Sequence, residues 1–358
     1  VVARLSPEWI SQVGAVVLSG LSTASSAVIT ATDSILSALG KLQAQAVINA
    51  QALGNVGRNR ILNPRFAIAQ RGSGPWTTSG VFTADRWRTL FTGDSYNASL
   101  VSLADADRAA LGDEYATQAM AFVITGTASG FSQFSQSMEN VRVLSGKTVT
   151  LSFWAKATSA LSLGAYFYQS FGTGGAPSGA VAVAPTTFAL TTSWVRYSAS
   201  VALPSAAGKT LGSNNDHATG LYFGFSAEPA AAAQCGVGVQ SGTFWLWGVQ
   251  VETGAVASPQ EARPADLELL LCQRHCQVQS VLCAGYGAAL GSTIYGQIPF
   301  AVTMRATPTP TYSAITYANA SALATSSVSP STLIVQATGP ALGGPCSASA
   351  SVLLSADL

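Results

Sequence analysis

From Pro64 onward, β-branched and aromatic residues gather in short runs separated by Gly, Pro, Asn and Asp, and this texture limits the fold more than any other feature. The segments 148–155 (TVTLSFWA), 161–169 (LSLGAYFYQ), 193–203 (SWVRYSASVAL), 220–227 and 243–252 (TFWLWGVQVE) each read as a strand. No amphipathic helix lies between them to carry a parallel crossover, so an antiparallel sandwich or jelly roll is expected. One segment breaks the pattern: 265–276 (ADLELLLCQRHC), entered through Arg263 and Pro264, reads as a short helix. Strands then resume, richer in Ser, Thr, Ala and Pro, over enough residues for a second, smaller β-domain.

Residues 15 to 55 behave differently, with no Pro and three Gly. Leu21, Val28, Ile35 and Leu42 recur every seven residues, and Leu18, Leu39 and Leu53 fall on the companion positions four residues on. That spacing is the seam of a coiled coil, about 60 Å long if continuous. Ser25, Thr32 and Asn49 interrupt it, and flanking charge pairs are absent, so an ordinary core helix is the competing reading. The expected class is mainly β: a helical, coiled-coil-like stalk (1–57), an antiparallel sandwich or jelly roll (58–264), a connecting helix (265–276) and a small C-terminal β-domain (277–358).

Charged residues make up 9% of the 358-residue chain, against about 25% in ordinary globular proteins. A net charge of +1 gives no global field toward nucleic acid or an anionic membrane, so neither partner is expected. No apolar run is long enough to span a bilayer. The five cysteines are odd in number and irregularly spaced, which favours reduced, buried thiols over a disulfide framework.

The arginine-rich stretch 59–87 (NRILNPRFAIAQRGSGPWTTSGVFTADRW) joins the two textures. Pro64 stops helix and favours an extended path, and Phe66, Ile68 and Trp87 suit a core. Asp85 and Arg86, if on an extended strand, point to opposite faces and seek separate partners. The stretch resembles the entry segment of a jelly-roll module of bacteriophage tail fibres, in which N-L-x-N-P-x-F leads to Q-R-G and then T-A-D-R-W. Further segments match in the same order: LSGKTVTLSFWAKA (144–157), TTSWVRYSASVALPS (191–205), GKTLGSNNDHATGLYFGF (208–225), WGVQVETG (247–254), EARPADLELLLCQRH (261–275) and IPFAVTMRATPT (298–309). The resemblance covers roughly residues 58 to 310 and departs at Gln260, His275 and Cys276, where aromatics are usual.

Other chemistries fare less well. SGKT at 145–148 lacks the first glycine of a phosphate loop and precedes a strand, so it reads as a hairpin turn. Cys272, His275, Cys276 and Cys283 lack the paired short spacings of a zinc site, and the thiols read as core. The carboxylates fall in no recognisable glycosidase arrangement, and neither His217 nor His275 has a G-x-S-x-G partner. No enzymatic activity is expected. No cofactor is expected either, beyond a structural Ca²⁺ near Asp85, Asp94 or Asp216, which the analogy with carbohydrate-binding jelly rolls allows.

Sugar binding needs aromatic faces for pyranose rings and amide or carboxylate groups for hydroxyls. The candidates are Trp76, Tyr96, Tyr166, Tyr168, Tyr222, Gln169, Asn214, Asn215 and Asp216. In 161–169, Leu161, Leu163 and Phe167 make the better core face, which leaves Tyr166 and Tyr168 outward with Ser162 and Gly164, facing either a ligand or a neighbouring protomer. Trp245 and Trp247 suit a core or an interface. What the resemblance implies is a virion tail-fibre protein: a homotrimer, assembled in the host cytoplasm, docked on tail or baseplate proteins through its N-terminal segment and adsorbing to host-surface polysaccharide. The alternatives are a purely structural fibre or connector and a glycan depolymerase.

Overall fold

The computed structural model describes residues 27–30, 32–53, 57–289, 291–339 and 344–358. It divides into two compact units, one ending at Arg58 and one spanning Asn59–Leu358.

In the first unit, the described helix is α1 (Ile35–Leu53), of 19 residues. Ser34 caps its start, its Oγ accepting from Ser37 N at 3.2 Å. Asp33 accepts from Thr30 N at 2.7 Å and from Lys41 Nζ at 2.8 Å. These caps explain why Val28 lies outside the helix and why the heptad run is not one long coiled coil among the described residues. Of the seam positions, Val28, Ile35, Leu39 and Leu42 are exposed. Leu18, Leu21 and the side chain of Leu53 lie outside the described residues.

The second unit begins with a β-sandwich whose strands all pair antiparallel. One sheet runs in the order β1 (Arg88–Thr92), β4 (Phe131–Glu139), β10 (Ala218–Ala227), β6 (Ser162–Ser170) and β7 (Val181–Ala182), with β8 (Thr186–Ala189) also on β6. The facing sheet runs β2 (Ser95–Ser102), β3 (Gln118–Thr125), β11 (Ser241–Thr253), β5 (Thr148–Ala157) and β9 (Val195–Ala202). Between them lies a core rich in phenylalanine, including Phe122, Phe134, Phe153, Phe167, Phe223 and Phe244. Each such ring contributes roughly 1.5–3 kcal/mol by leaving water. Three short helices accompany the sheets: α2 (Asp105–Leu111), α3 (Pro229–Cys235) and α4 (Ala265–Gln273). No helix among the described residues is long and apolar enough to cross a membrane.

The arginine-rich entry segment is a threaded loop rather than a strand. Ile61, Phe66 and Trp87 are fully buried, whereas Ile68 is half-buried outside the core cluster. Asp85 and Arg86 sit in a turn closed by Trp87 N donating to Ala84 O at 3.0 Å, and Arg86 takes φ 76° there. Opposite faces of a strand therefore do not describe them. Their partners are nonetheless separate: Asp85 accepts from Gln70 N at 2.9 Å, and Arg86 pairs with Asp357 at 2.8 Å.

Beyond α4, two three-stranded sheets enclose a second core that includes Val281, Cys283, Leu333, Val335, Val352 and Leu354. One holds β12 (Cys276–Gly287), β17 (Gly344–Ser355) and β14 (Thr309–Ala318); the other holds β13 (Thr293–Pro299), β16 (Thr332–Thr338) and β15 (Ser321–Val328). Ion pairs fasten the two sandwiches: Asp357 to Arg71 and Arg86, and Glu139 to Arg274 and Arg305. All five cysteines are buried free thiols.

Candidate functional site

The two outer faces of the first sandwich differ. On the β5–β11 side, cations roof the tryptophans: Lys156 lies 5.0 Å over Trp194 and 5.4 Å over Trp245, Arg196 lies 4.8 Å over Trp154, and Arg65 lies 5.4 Å over Trp247. Asp107 then accepts from Lys156 and from the Trp194 indole, both at 2.8 Å. This aspartate is thus a fastening on α2. Burial opposes its charge, but those two donors prevail and hold its carboxyl below the usual range.

The opposite face, formed by β1, β4, β10 and β6, presents an open groove. Alternation along β6 sends Leu163, Ala165 and Phe167 inward and Tyr166 and Tyr168 outward. Pairing sets Tyr222 of β10 directly opposite Tyr166, and Gly220 opposite Tyr168. The Tyr166 and Tyr222 rings stack at 5.0 Å and 13°, and Tyr168 meets Tyr222 edge-on at 6.1 Å. Gly220 makes room for this, since a Cβ there would lie 2.6 Å from the Tyr222 ring. The register continues across the sheet from Tyr222 to Ser135 and Arg88. A neighbouring row carries Gly164, Gly224, Gln133 and Leu90.

Helix α3 forms one wall. Its C-terminal Cys235 rests on the Gly164–Gly224 pair, and a Cβ on Gly164 would fall 1.8 Å from the Cys235 carbonyl oxygen. The space left by Gly164 thus belongs to this helix rather than to a ligand or a partner. Gln133 Nε2 donates to Cys235 Sγ at 2.9 Å, and Gln234 Nε2 reaches the Tyr166 hydroxyl at 3.4 Å. The groove between this wall and the tyrosines holds about 370 Å³ and is lined by Leu90, Gln133, Tyr166, Tyr168, Tyr222 and Gln234, among others. Burial pushes the Tyr166 and Tyr222 hydroxyls and the Cys235 thiol up, so all three are neutral at neutral pH. The lining therefore offers ring faces, amides and neutral hydroxyls, and no carboxylate or histidine is among its residues. Such a surface suits stacking and hydrogen bonding to an uncharged polyol. Gly164→Ala is expected to lift α3 and to destabilise this sandwich by about 1–3 kcal/mol, read as a lowered melting temperature.

Of the sequence candidates, the groove brings together Tyr166, Tyr168 and Tyr222. The others lie elsewhere. Tyr96 is 3% exposed and packs in the core, stacked on Phe91 at 4.7 Å, because it shares the inward parity of Ala98 and Leu100 on β2. Gln169 is fully buried on the core side of β6 and donates to Pro204 O at 3.0 Å. Trp76 bridges to Ala98 at the edge of the other sheet. Asn214 and Asp216 fasten the loop before β10: Asp216 accepts from Thr173 N at 2.7 Å, and Asn214 Nδ2 donates to Thr173 Oγ1 at 3.0 Å. Asn215 gives its carbonyl to Arg305 at 3.1 Å.

The carboxylates considered for Ca²⁺ are held by donors of the chain itself. Asp94 accepts from Thr127 N at 2.7 Å and Ser132 Oγ at 2.6 Å, and Asp85 accepts from the backbone and side chain of Gln70. No group of three or more His, Cys, Asp or Glu residues that could hold a metal occurs among the described residues.

Among the groove residues missed from sequence are Leu90, Gln133 and Gln234. Outward parity on their own strands was the available signal for the first two, but nothing local marks them as neighbours of Tyr222.

No family model and no curated protein matches the chain. Among solved structures it is similar to the family 11 carbohydrate-binding module from Clostridium thermocellum in complex with a β-1,3-1,4-mixed-linked tetrasaccharide, with TM-score 0.31 and 14% identity over 51% of this chain and 96% of that one. It is also similar to TmCBM61 in complex with β-1,4-galactotriose, with TM-score 0.30 and 10% identity over 55% of this chain and 100% of that one. A third similar structure is the enzymatically active domain of bacteriophage CBA120 tailspike protein 4, with TM-score 0.33 and 13% identity over 55% of this chain and 22% of that one. The carbohydrate-binding modules thus match about half of this chain across nearly their whole length.

Proposed function

We propose that the protein binds glycan through the tyrosine groove and does so as a trimeric bacteriophage tail-fibre component that adsorbs to host-surface polysaccharide. The observation that carries the binding reading is the pair of half-buried rings Tyr168 and Tyr222, backed by the buried Tyr166 and flanked by the Gln133 and Gln234 amides in an uncharged groove. The tail-fibre assignment rests on the ordered motifs from NRILNPRF through IPFAVTMRATPT. Weak single contacts to glycan would gain strength from linkage within the trimer and across fibres.

Tyr166 is buried beneath α3, so a test that leaves the fold intact changes the half-buried Tyr168 and Tyr222 instead. Each ring stacked on a sugar should contribute on the order of 1 kcal/mol, or roughly five-fold in affinity. Tyr168→Ala/Tyr222→Ala is expected to lower the glycan-array signal by more than ten-fold with an unchanged circular dichroism spectrum. An undiminished signal would remove the groove from the binding reading, and release of reducing ends during incubation would favour an enzyme.

The trimer has its own test. Val28, Ile35, Leu39 and Leu42 are exposed apolar side chains in and before α1, available to a partner copy. Ile35→Asp/Leu42→Asp puts charge on that face, and light scattering is expected to show a smaller species. An unchanged trimer would exclude α1 as the associating element, and a monomeric parent chain would exclude the trimer itself.

A further inference from the structure

A second cavity, of about 270 Å³, opens where α4 meets the end of the β4–β10 sheet. Leu62, Met138, Leu144 and Leu271 supply an apolar wall, and Arg60 and Arg274 are part of its rim. An adjoining hollow of about 150 Å³ shares Glu139, Asn140 and Arg274 with it and adds His217 and Arg305. In a chain with 9% charged residues, this gathering of arginines calls for a reason.

Fastening the two sandwiches accounts for part of it. Arg86 is spent on Asp357 and the Ser137 carbonyl, and Arg305 on Glu139 and Asn215. Arg274 faces Glu139 at 3.0 Å but remains 46% exposed. The Arg60 side chain is exposed and makes no ion pair among the described residues.

Two further side chains each keep an unpaired polar atom, although His275 Nε2 also faces Glu139 Oε1 at 3.6 Å. Thr219 and His275 line the cavity at 1% and 2% exposure, and neither Thr219 Oγ1 nor His275 Nδ1 has a hydrogen-bond partner among the described residues. Buried polar atoms left unsatisfied are uncommon and cost about 1–3 kcal/mol each. Burial, reinforced by Arg86 and Arg274, holds the imidazole neutral, so one ring nitrogen can donate and the other accept. Apolar wall, two unpaired polar atoms and three arginines against the one carboxylate of Glu139 give the cavity the makings of an anion-recognition site with excess positive charge.

We propose that this cavity is a second ligand site that takes one acidic monosaccharide unit. Its carboxylate would pair with Arg60 and Arg274, its hydroxyls with Thr219 and His275, and its ring would lie on Leu62 and Leu271. The volume suits a single ring, since sites for larger ligands run to roughly 300–1,000 Å³. The site is separate from the tyrosine groove and stands or falls without it.

The test titrates the full chain with glucuronate, glucose and sulfate in turn, following imidazole and tyrosine ring resonances by NMR. Glucuronate is expected to shift His275 with an affinity near millimolar, glucose to leave it unmoved, and sulfate to bind more weakly than glucuronate. Arg60→Ala, a surface change, is expected to weaken glucuronate by about five-fold or more through loss of a charge-assisted contact. No shift at His275, equal binding of glucose, or full affinity in Arg60→Ala would overturn the proposal. Sulfate binding as tightly as glucuronate would reduce the site to a general anion patch and overturn the sugar assignment. Shifts at Tyr168 and Tyr222 with none at His275 would place the acidic sugar in the groove, again overturning this site while leaving the groove reading intact.

Discussion

Replacing Trp87 by alanine is expected to destabilise the first sandwich by about 3–5 kcal/mol, the range for deleting a large aromatic from a packed core. The indole is fully buried. It stacks on Phe134 at 5.0 Å and 5° and lies 5.3 Å from Phe66 and 6.4 Å from Phe223, so its removal opens a void bordered by three rings. Its Nε1 also donates to Asn63 O at 3.1 Å, tying the entry loop to β1. Trp87→Phe keeps most of the apolar volume and loses this hydrogen bond, so it should cost clearly less, about 1–2 kcal/mol. Denaturant titration, followed by near-ultraviolet signal, should show a lower midpoint at similar slope for both variants. A loss under 1 kcal/mol for Trp87→Ala would mean that the entry loop is not part of the cooperative core.

Asp357→Ala should be nearly as damaging, by a different mechanism. The Asp357 carboxylate, 2% exposed, bridges Arg71 and Arg86, and the Arg86 side chain is itself 2% exposed. Without it, Arg86 keeps the Ser137 carbonyl as acceptor, and Arg71 keeps the Ser355 hydroxyl at 3.2 Å and the Phe82 ring 5.3 Å away, but neither keeps a carboxylate partner among the described residues. Stranding a buried cation costs about 3–5 kcal/mol, more than the intact pair contributes over an apolar substitute. The double variant Asp357→Leu/Arg86→Met is therefore expected to recover much of the loss, because it removes both charges together. Hydrogen exchange should show the effect at β17 and in the turn at 84–86, which are distant in sequence and joined by this bridge. Equal destabilisation in the single and double variants would mean that packing, not the stranded charge, sets the cost.

Much of this architecture follows from local pattern. Strand positions in 148–155, 161–169 and 243–252 were legible because side chains alternate faces with a period of two, whatever the rest of the chain does. The same parity sends Tyr166 and Tyr168 outward and, followed consistently, sends Tyr96 and Gln169 inward, although their side-chain chemistry suits a sugar. The heptad spacing indicated helix and α1 is helical, but Asp33 and Ser34 are also capping residues, and the cap makes Ile35 its first residue.

Sequence by itself therefore determined five strands of the first sandwich, which face of 161–169 is apolar, and that the entry stretch leads into a β-sandwich. Only the tertiary structure decided which outward faces meet. Tyr222 comes to Tyr166 because β10 pairs with β6, and Gln133 joins them because β4 pairs with β10. Gly164 is occupied by Cys235 because α3 folds back onto the sheet. The groove is thus a product of strand order, and strand order is settled by how two whole sheets bury their phenylalanines against each other, a constraint that no window of local sequence contains.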